Sequence, residues 1–142
     1  MSVRLDDAAA VITNAVAAAL LSVQVNLRAE GVPAAGTAGD WAELDLRWSP
    51  NARGAQIERT GCAGRLTCYL KVDQGAIRRA ETVGQAVRAA LVAQNLPVYG
   101  GISGTPGDLQ GILQAVDFLH ATLGENAGEI ITESTFNLIE RT

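Results

Sequence analysis

A chain of 142 residues is one domain's worth, and a chain of that length buries roughly 68–70% of its unfolded surface around a single core. Hydrophobic residues make up 48% and charged residues 18%, which excludes intrinsic disorder as a description of the whole chain. With 15 acidic against 11 basic residues the net charge is −4, and aromatics are 4%, so the chain offers neither a basic field for phosphates nor stacking platforms for single strands, and a dedicated nucleic-acid module is not expected.

Over residues 6 to 29 the larger apolar residues Ile12, Val16, Leu20, Val23 and Leu27 recur at spacings of three and four, the mark of one helical face. Asp6 and Asp7 suit its first turn, where carboxylates meet the positive end of the helix dipole. Gly31 and Pro33 are the expected stop, and residues 32 to 40 read as loop. The same stretch is the most apolar in the chain, yet Thr13, Asn14, Ser22 and Gln24 interrupt it, so no membrane span is expected. Arg4 is followed at once by Asp6 and Asp7, unlike the basic lead of a secretory signal, so the protein is expected to be made in the cytosol with its thiols reduced.

Residues 41 to 48 switch to period two, with Ala42, Leu44, Leu46 and Trp48 on one face and Trp41, Glu43, Asp45 and Arg47 on the other. Ser49, Pro50, Asn51 and Gly54 mark a turn region, and residues 55 to 60 form a weaker, polar strand candidate. Over residues 65 to 73, Leu66, Cys68, Leu70 and Val72 alternate with polar neighbours, predicting an antiparallel hairpin with a long polar arm and Cys68 turned inward. A second helix is expected over residues 77 to 95, with Ile77, Ala80, Gly84, Val87 and Leu91 as its buried stripe and Pro97 as its stop. Residues 99 to 107, with four glycines, read as loop.

Residues 108 to 124 admit two readings: Leu109, Ile112, Leu113, Val116, Leu119 and Leu123 fit a helix, a strand fits less cleanly, and periodicity favours helix. Residues 129 to 141 alternate and are rich in β-branched residues, which predicts a strand.

Chemistry-bearing constellations are sparse. The single histidine, His120, lies in an apolar segment and reads as a hydrogen-bonded structural residue rather than a catalytic one. Cys62 and Cys68, six apart, match neither a C-x-x-C motif nor a four-ligand zinc framework. The glycine-rich stretch 100 to 107 lacks the Lys-Ser/Thr ending of a phosphate-binding loop, and Ser103 is not in a nucleophile elbow. No catalytic, metal-binding or cofactor-binding residues are therefore assigned, and an enzyme is not expected. The arginines around the hairpin arm, Arg47, Arg53, Arg59 and Arg65, with Gln56 and Glu58, are the candidate interface, because arginine suits contacts with carboxylates on a partner. A solvated charged hairpin is the plain alternative.

The blocks Trp41-Ala-Glu-Leu-Asp-Leu, Gln56-Ile-Glu-Arg-Thr-Gly61 and Arg65-Leu-Thr-Cys-Tyr-Leu-Lys-Val-Asp73, the helix from Ala80 to Leu91, and the glycine-bearing acidic turn Gly124-Glu-Asn-Ala-Gly128 resemble, in order and pattern, the tail terminator (tail completion) proteins of long-tailed bacteriophages. The resemblance covers nearly the whole chain. It implies one α+β domain over residues 1 to 142, with an antiparallel sheet of four to five strands and two helices packed on one face. It also implies that residues 111 to 123 form a strand paired with residues 129 to 141.

Members of that family form a hexameric ring on the head-proximal end of the tail tube and join it to the head. The partners implied are further copies of the chain, the tail tube protein and a head-completion or neck protein, with assembly in the host cytoplasm and residence in the virion. DNA would pass through the ring unbound; six copies at −4 each would carry −24, a field that discourages phosphate binding. A neck or head-completion connector, and from another class a small α+β ligand-binding domain or enzyme with the glycine loop as lid, are the alternatives.

Overall fold

The computed structural model describes residues 5–28, 39–49, 61–92, 94–99, 107 and 109–141. The elements run α1 (Leu5–Leu21), β1 (Asn26–Arg28), β2 (Trp41–Ser49), β3 (Gly61–Lys71), α2 (Ala76–Leu91), β4 (Asn95–Tyr99), β5 (Leu109–Asn126) and β6 (Glu129–Arg141). The six strands form one sheet in the order β1-β2-β3-β6-β5-β4. All neighbours are antiparallel except β1 and β2, so the sheet is mixed and larger than the four to five antiparallel strands expected.

The buried stripe of α1 is Ala8, Ile12, Val16 and Leu20, and that of α2 is Ala76, Ala80, Val83, Gly84, Val87 and Leu91. Both stripes join Ala42, Leu66, Cys68, Leu70, Phe136 and Leu138 from the sheet in one core. The helices also pack against each other, so they share one face of the sheet, as the α+β expectation had it. Ile77, expected on the buried stripe of α2, is 71% exposed; Ala76, four residues before Ala80, holds the stripe's first turn instead, and Val83 joins the stripe beside Gly84.

Element ends differ from the periodicity reading in three places. The first helix stops at Leu21 rather than near residue 29: the Val25 amide donates to the Leu20 carbonyl while Gln24 takes a left-handed φ of 62°, and the chain leaves as β1 to pair with the start of β2. The second helix ends at Leu91 because Val92 is extended, and Pro97, expected to lie beyond a helix, instead sits inside β4. That placement is open to proline because β4 is an edge strand bonded only to β5.

Residues 109–126 are a strand, not the helix that periodicity favoured, and they pair with β6 along its length through a tight turn. Ala127 and Gly128, with φ of 53° and 80°, form the two-residue connection, in the primed geometry that matches strand twist. β3 begins at Gly61, earlier than expected, so the arm between β2 and β3 is shorter in loop than the sequence suggested. The remaining arm, residues 50–60, lies outside the described residues, as does most of the glycine-rich stretch.

Candidate functional site

Strand alternation sorts every side chain of β2, β3 and β6 onto the helix-covered face or the opposite, open one. Ala42, Leu66, Cys68 and Phe136 point to the core, so Trp41, Glu43, Asp45 and Arg47 on β2, Ala63, Arg65, Thr67 and Tyr69 on β3, and Glu133, Thr135 and Asn137 on β6 face outward. At one end of this open face the Trp41 and Tyr69 rings stack with centroids 4.2 Å apart, and the Arg28 guanidinium lies 3.9 Å from the Trp41 ring. Burial, followed by the charges of Glu43 and Glu129, raises the Tyr69 phenol above its ordinary pKa. The face is therefore a firm platform of mixed charge with an aromatic end.

Two of the six candidate interface residues are placed. Arg65 sits directly opposite Asp45 in the β2–β3 ladder, and Arg47 lies one outward position further along, its Nε donating to Asp45 Oδ2 at 3.4 Å. Both are exposed and line a shallow depression shared with Thr135 and Asn137. Arg53, Gln56, Glu58 and Arg59 lie outside the described residues. On the neighbouring strand Asp117 holds Asn137 firmly, accepting from its backbone amide at 2.9 Å and from Nδ2 at 3.0 Å.

The sheet edges add what the sequence did not suggest. β4 pairs with β5 only as far as Gln114, so among the described residues 115–126 of β5 have no strand on that side. Val116, Leu119 and Leu123 along it are 55%, 67% and 59% exposed. At the other end of the sheet, among the described residues, β1 covers only Trp41, Ala42 and Glu43 of β2. There the inward-facing Leu44, Leu46 and Trp48 stay half-exposed, beside a groove walled by Ala9, Thr13 and Ala17 of α1. A matching groove lies between α2 and β5, lined by Gly84, Gln85, Arg88, Phe118 and Leu119.

His120 is clamped. Its Nε2 donates to the Ala80 carbonyl at 3.0 Å, since a carbonyl can only accept, and its Nδ1 lies 2.7 Å from the buried Ser134 hydroxyl. Nε2 ties β5 to α2 and Nδ1 ties it to β6, so both ring nitrogens are hydrogen-bonded, as its apolar segment suggested. Cys62 and Cys68 are free and buried on the core side of β3. Burial pushes their thiols up to about 11 and about 12, far from the range of a nucleophile or a metal-bound thiolate. Among the described residues no three His, Cys, Asp or Glu side chains gather as a metal site, and no helix is long and apolar enough to cross a membrane.

No protein-family model matches the chain, and neither does any curated protein. Solved structures do. One, of unstated function, matches with a TM-score of 0.68 and 11% identity over 98% of this chain and 96% of its own. A chain of the virion of a native gene transfer agent particle matches with a TM-score of 0.53 and 19% identity over 92% of each chain. The α+β fold, with its two helices on one sheet face, is thus one that occurs in other proteins of the same length.

Proposed function

We propose that the protein is a structural component of a phage-like particle, and within that class a tail terminator: a ring at the head-proximal end of the tail tube that ends tube growth and offers the surface to which the head joins. The observation that carries this reading is the end-to-end likeness to a chain of a gene transfer agent virion, over 92% of both chains. The order of elements is consistent with this reading: the strand pair beginning at Trp41, the helix α2 and the closing β5–β6 hairpin come in the order that the sequence resemblance implied. A protein with this role needs firm surfaces rather than a reaction site. The mixed-charge open face and two partly uncovered sheet edges supply such surfaces.

The test is deletion of the coding sequence in the producing cell, followed by electron microscopy and protein composition of the particles. Headless tubes of uncontrolled length, restored to normal by the protein supplied in trans, are the expected outcome. Tubes of normal length that fail to join heads would instead indicate a neck connector. Unaltered particles would overturn the structural role altogether.

A further inference from the structure

The hydrogen-bonded ladders fix which residues stand at the same height across the sheet. Reading from β2 through β3 and β6 to β5, Arg47 is level with Ala63, Asn137 and Asp117, while Leu46 is level with Gly64, Phe136 and Phe118. Among the described residues, the stretch of β2 beyond Glu43 that no strand covers is therefore level with the stretch of β5 after Gln114 that no strand covers. Strand direction matches as well. β2 and β6 run one way and β3 and β5 the other, so a second copy placed beside the first in the same orientation brings its β2 antiparallel to β5.

From this we infer that the occupant of the β5 edge is the β2 edge of a second copy of the chain, joined head to tail. At equal height the joint sets Arg47 of one copy against Asp117 of the next on the open face, and half-exposed Leu46 against half-buried Phe118 on the core side. A slip by one residue would turn every pair to the wrong face, so register is restricted to even shifts, and the opposite charges select no shift. The register shifts of β5 at Val116 and Leu123 bound the regular stretch that remains for pairing. The helical layer continues across the same joint, with the α2–β5 groove meeting the small side chains of Ala9, Thr13 and Ala17 beside β2. Because the contact uses two different edges it is heterologous and propagates until the rotation closes. The closed ring itself rests on the tail terminator reading; the pairing of edges does not.

Charge reversal with rescue tests the joint. Arg47→Glu and Asp117→Lys should each weaken self-association by tenfold or more, and the double variant should regain most of it, as read by native mass spectrometry and sedimentation with circular dichroism confirming the fold. Since Asp117 also holds Asn137, Asp117→Asn serves as a second probe that keeps an acceptor there. An Arg47→Cys, Asp117→Cys double variant should give covalent ladders longer than dimers on mild oxidation, which neither single variant can form. Closed oligomers that ignore the reversals and form no ladder would overturn this joint and leave the ring standing. A wild-type chain that stays monomeric at millimolar concentration would overturn the joint, while particle composition decides the tail role separately.

Discussion

Replacing Gly84 by alanine sets two effects of opposite sign against each other. In the middle of a helix alanine is preferred over glycine by about 0.8–1.0 kcal/mol, so a free helix surface would be stabilised by the change. At this position, however, the edge of the His120 imidazole lies against the glycine, and an added Cβ would stand 2.6 Å from its Cγ and closer still to Cδ2. The ring has nowhere to go without giving up the Ala80 carbonyl or the Ser134 hydroxyl, and Ser134 is buried. Overpacking of this kind costs about 1–3 kcal/mol, and a buried polar group left unpaired costs about 1–3 kcal/mol more if the ring is expelled.

The collision therefore wins, and Gly84→Ala is expected to destabilise the protein by about 1–3 kcal/mol, a fall in melting temperature of about 3–10 °C for a chain of this size. Thermal denaturation followed by circular dichroism measures it. In a His120→Ala background the obstacle is gone, and the same substitution should stabilise by its helix preference. A single Gly84→Ala variant that melts higher than wild type would refute the reasoning.

Gly64→Ala should be at least as damaging, since its Cβ would fall on the buried Phe136 ring; urea denaturation is expected to show a loss of about 1–3 kcal/mol. Cys62 and Cys68 should resist iodoacetamide in the native protein at pH 8 and both react once it is unfolded, read by intact mass without reductant; a native protein modified at both sites would contradict the burial. Because their thiols titrate at about 11 and about 12 folded against 9.0 unfolded, the protonated form is favoured in the fold, so their contribution to stability is full below pH 9 and is lost as pH rises through 11 and 12. Alkaline denaturation should be shallower in a Cys62→Ala, Cys68→Ala variant. Arg79 meets Asp73, Asp40 and the Lys71 carbonyl, fastening the start of α2 to the sheet; its side chain is one-third exposed, so Arg79→Met should cost no more than about 1 kcal/mol and make melting less sensitive to salt.

Much of the fold was legible because simple alternation held. β2 put Ala42, Leu44, Leu46 and Trp48 on the core side and β6 put Phe136 and Leu138 there, as period two requires. The helices showed their stripes through Ile12, Val16 and Leu20 and through Ala80, Val87 and Leu91. Helix ends were less legible, because the left-handed cap after α1 falls on Gln24 rather than on a glycine, and because tertiary pairing, not local propensity, draws residues 26–28 into the sheet. Arg47 and Arg65 were visible as outward arginines. What sequence could not supply was the height at which each stands in the ladder, and so the partner level with it.

β5 shows why the most informative stretch was also the most misleading. Its pairing with β6 shifts register between Ala115 and Asp117 and again between Thr122 and Gly124, leaving Val116 and Leu123 as extra residues. Each insertion breaks period two once, and with both in place the apolar residues Leu109, Ile112, Leu113, Val116, Leu119 and Leu123 fall at spacings that imitate a helix. A helix of that pattern would bury its stripe, yet Leu109, Val116, Leu119 and Leu123 are all exposed, and only Leu113 of the six is buried. The irregularity and the exposure have a common origin in the edge: beyond Gln114 no described strand flanks β5 on that side, and bulges are frequent at such edges. The helical signal was thus produced by the part of β5 that no described strand covers, where the joint between copies is inferred.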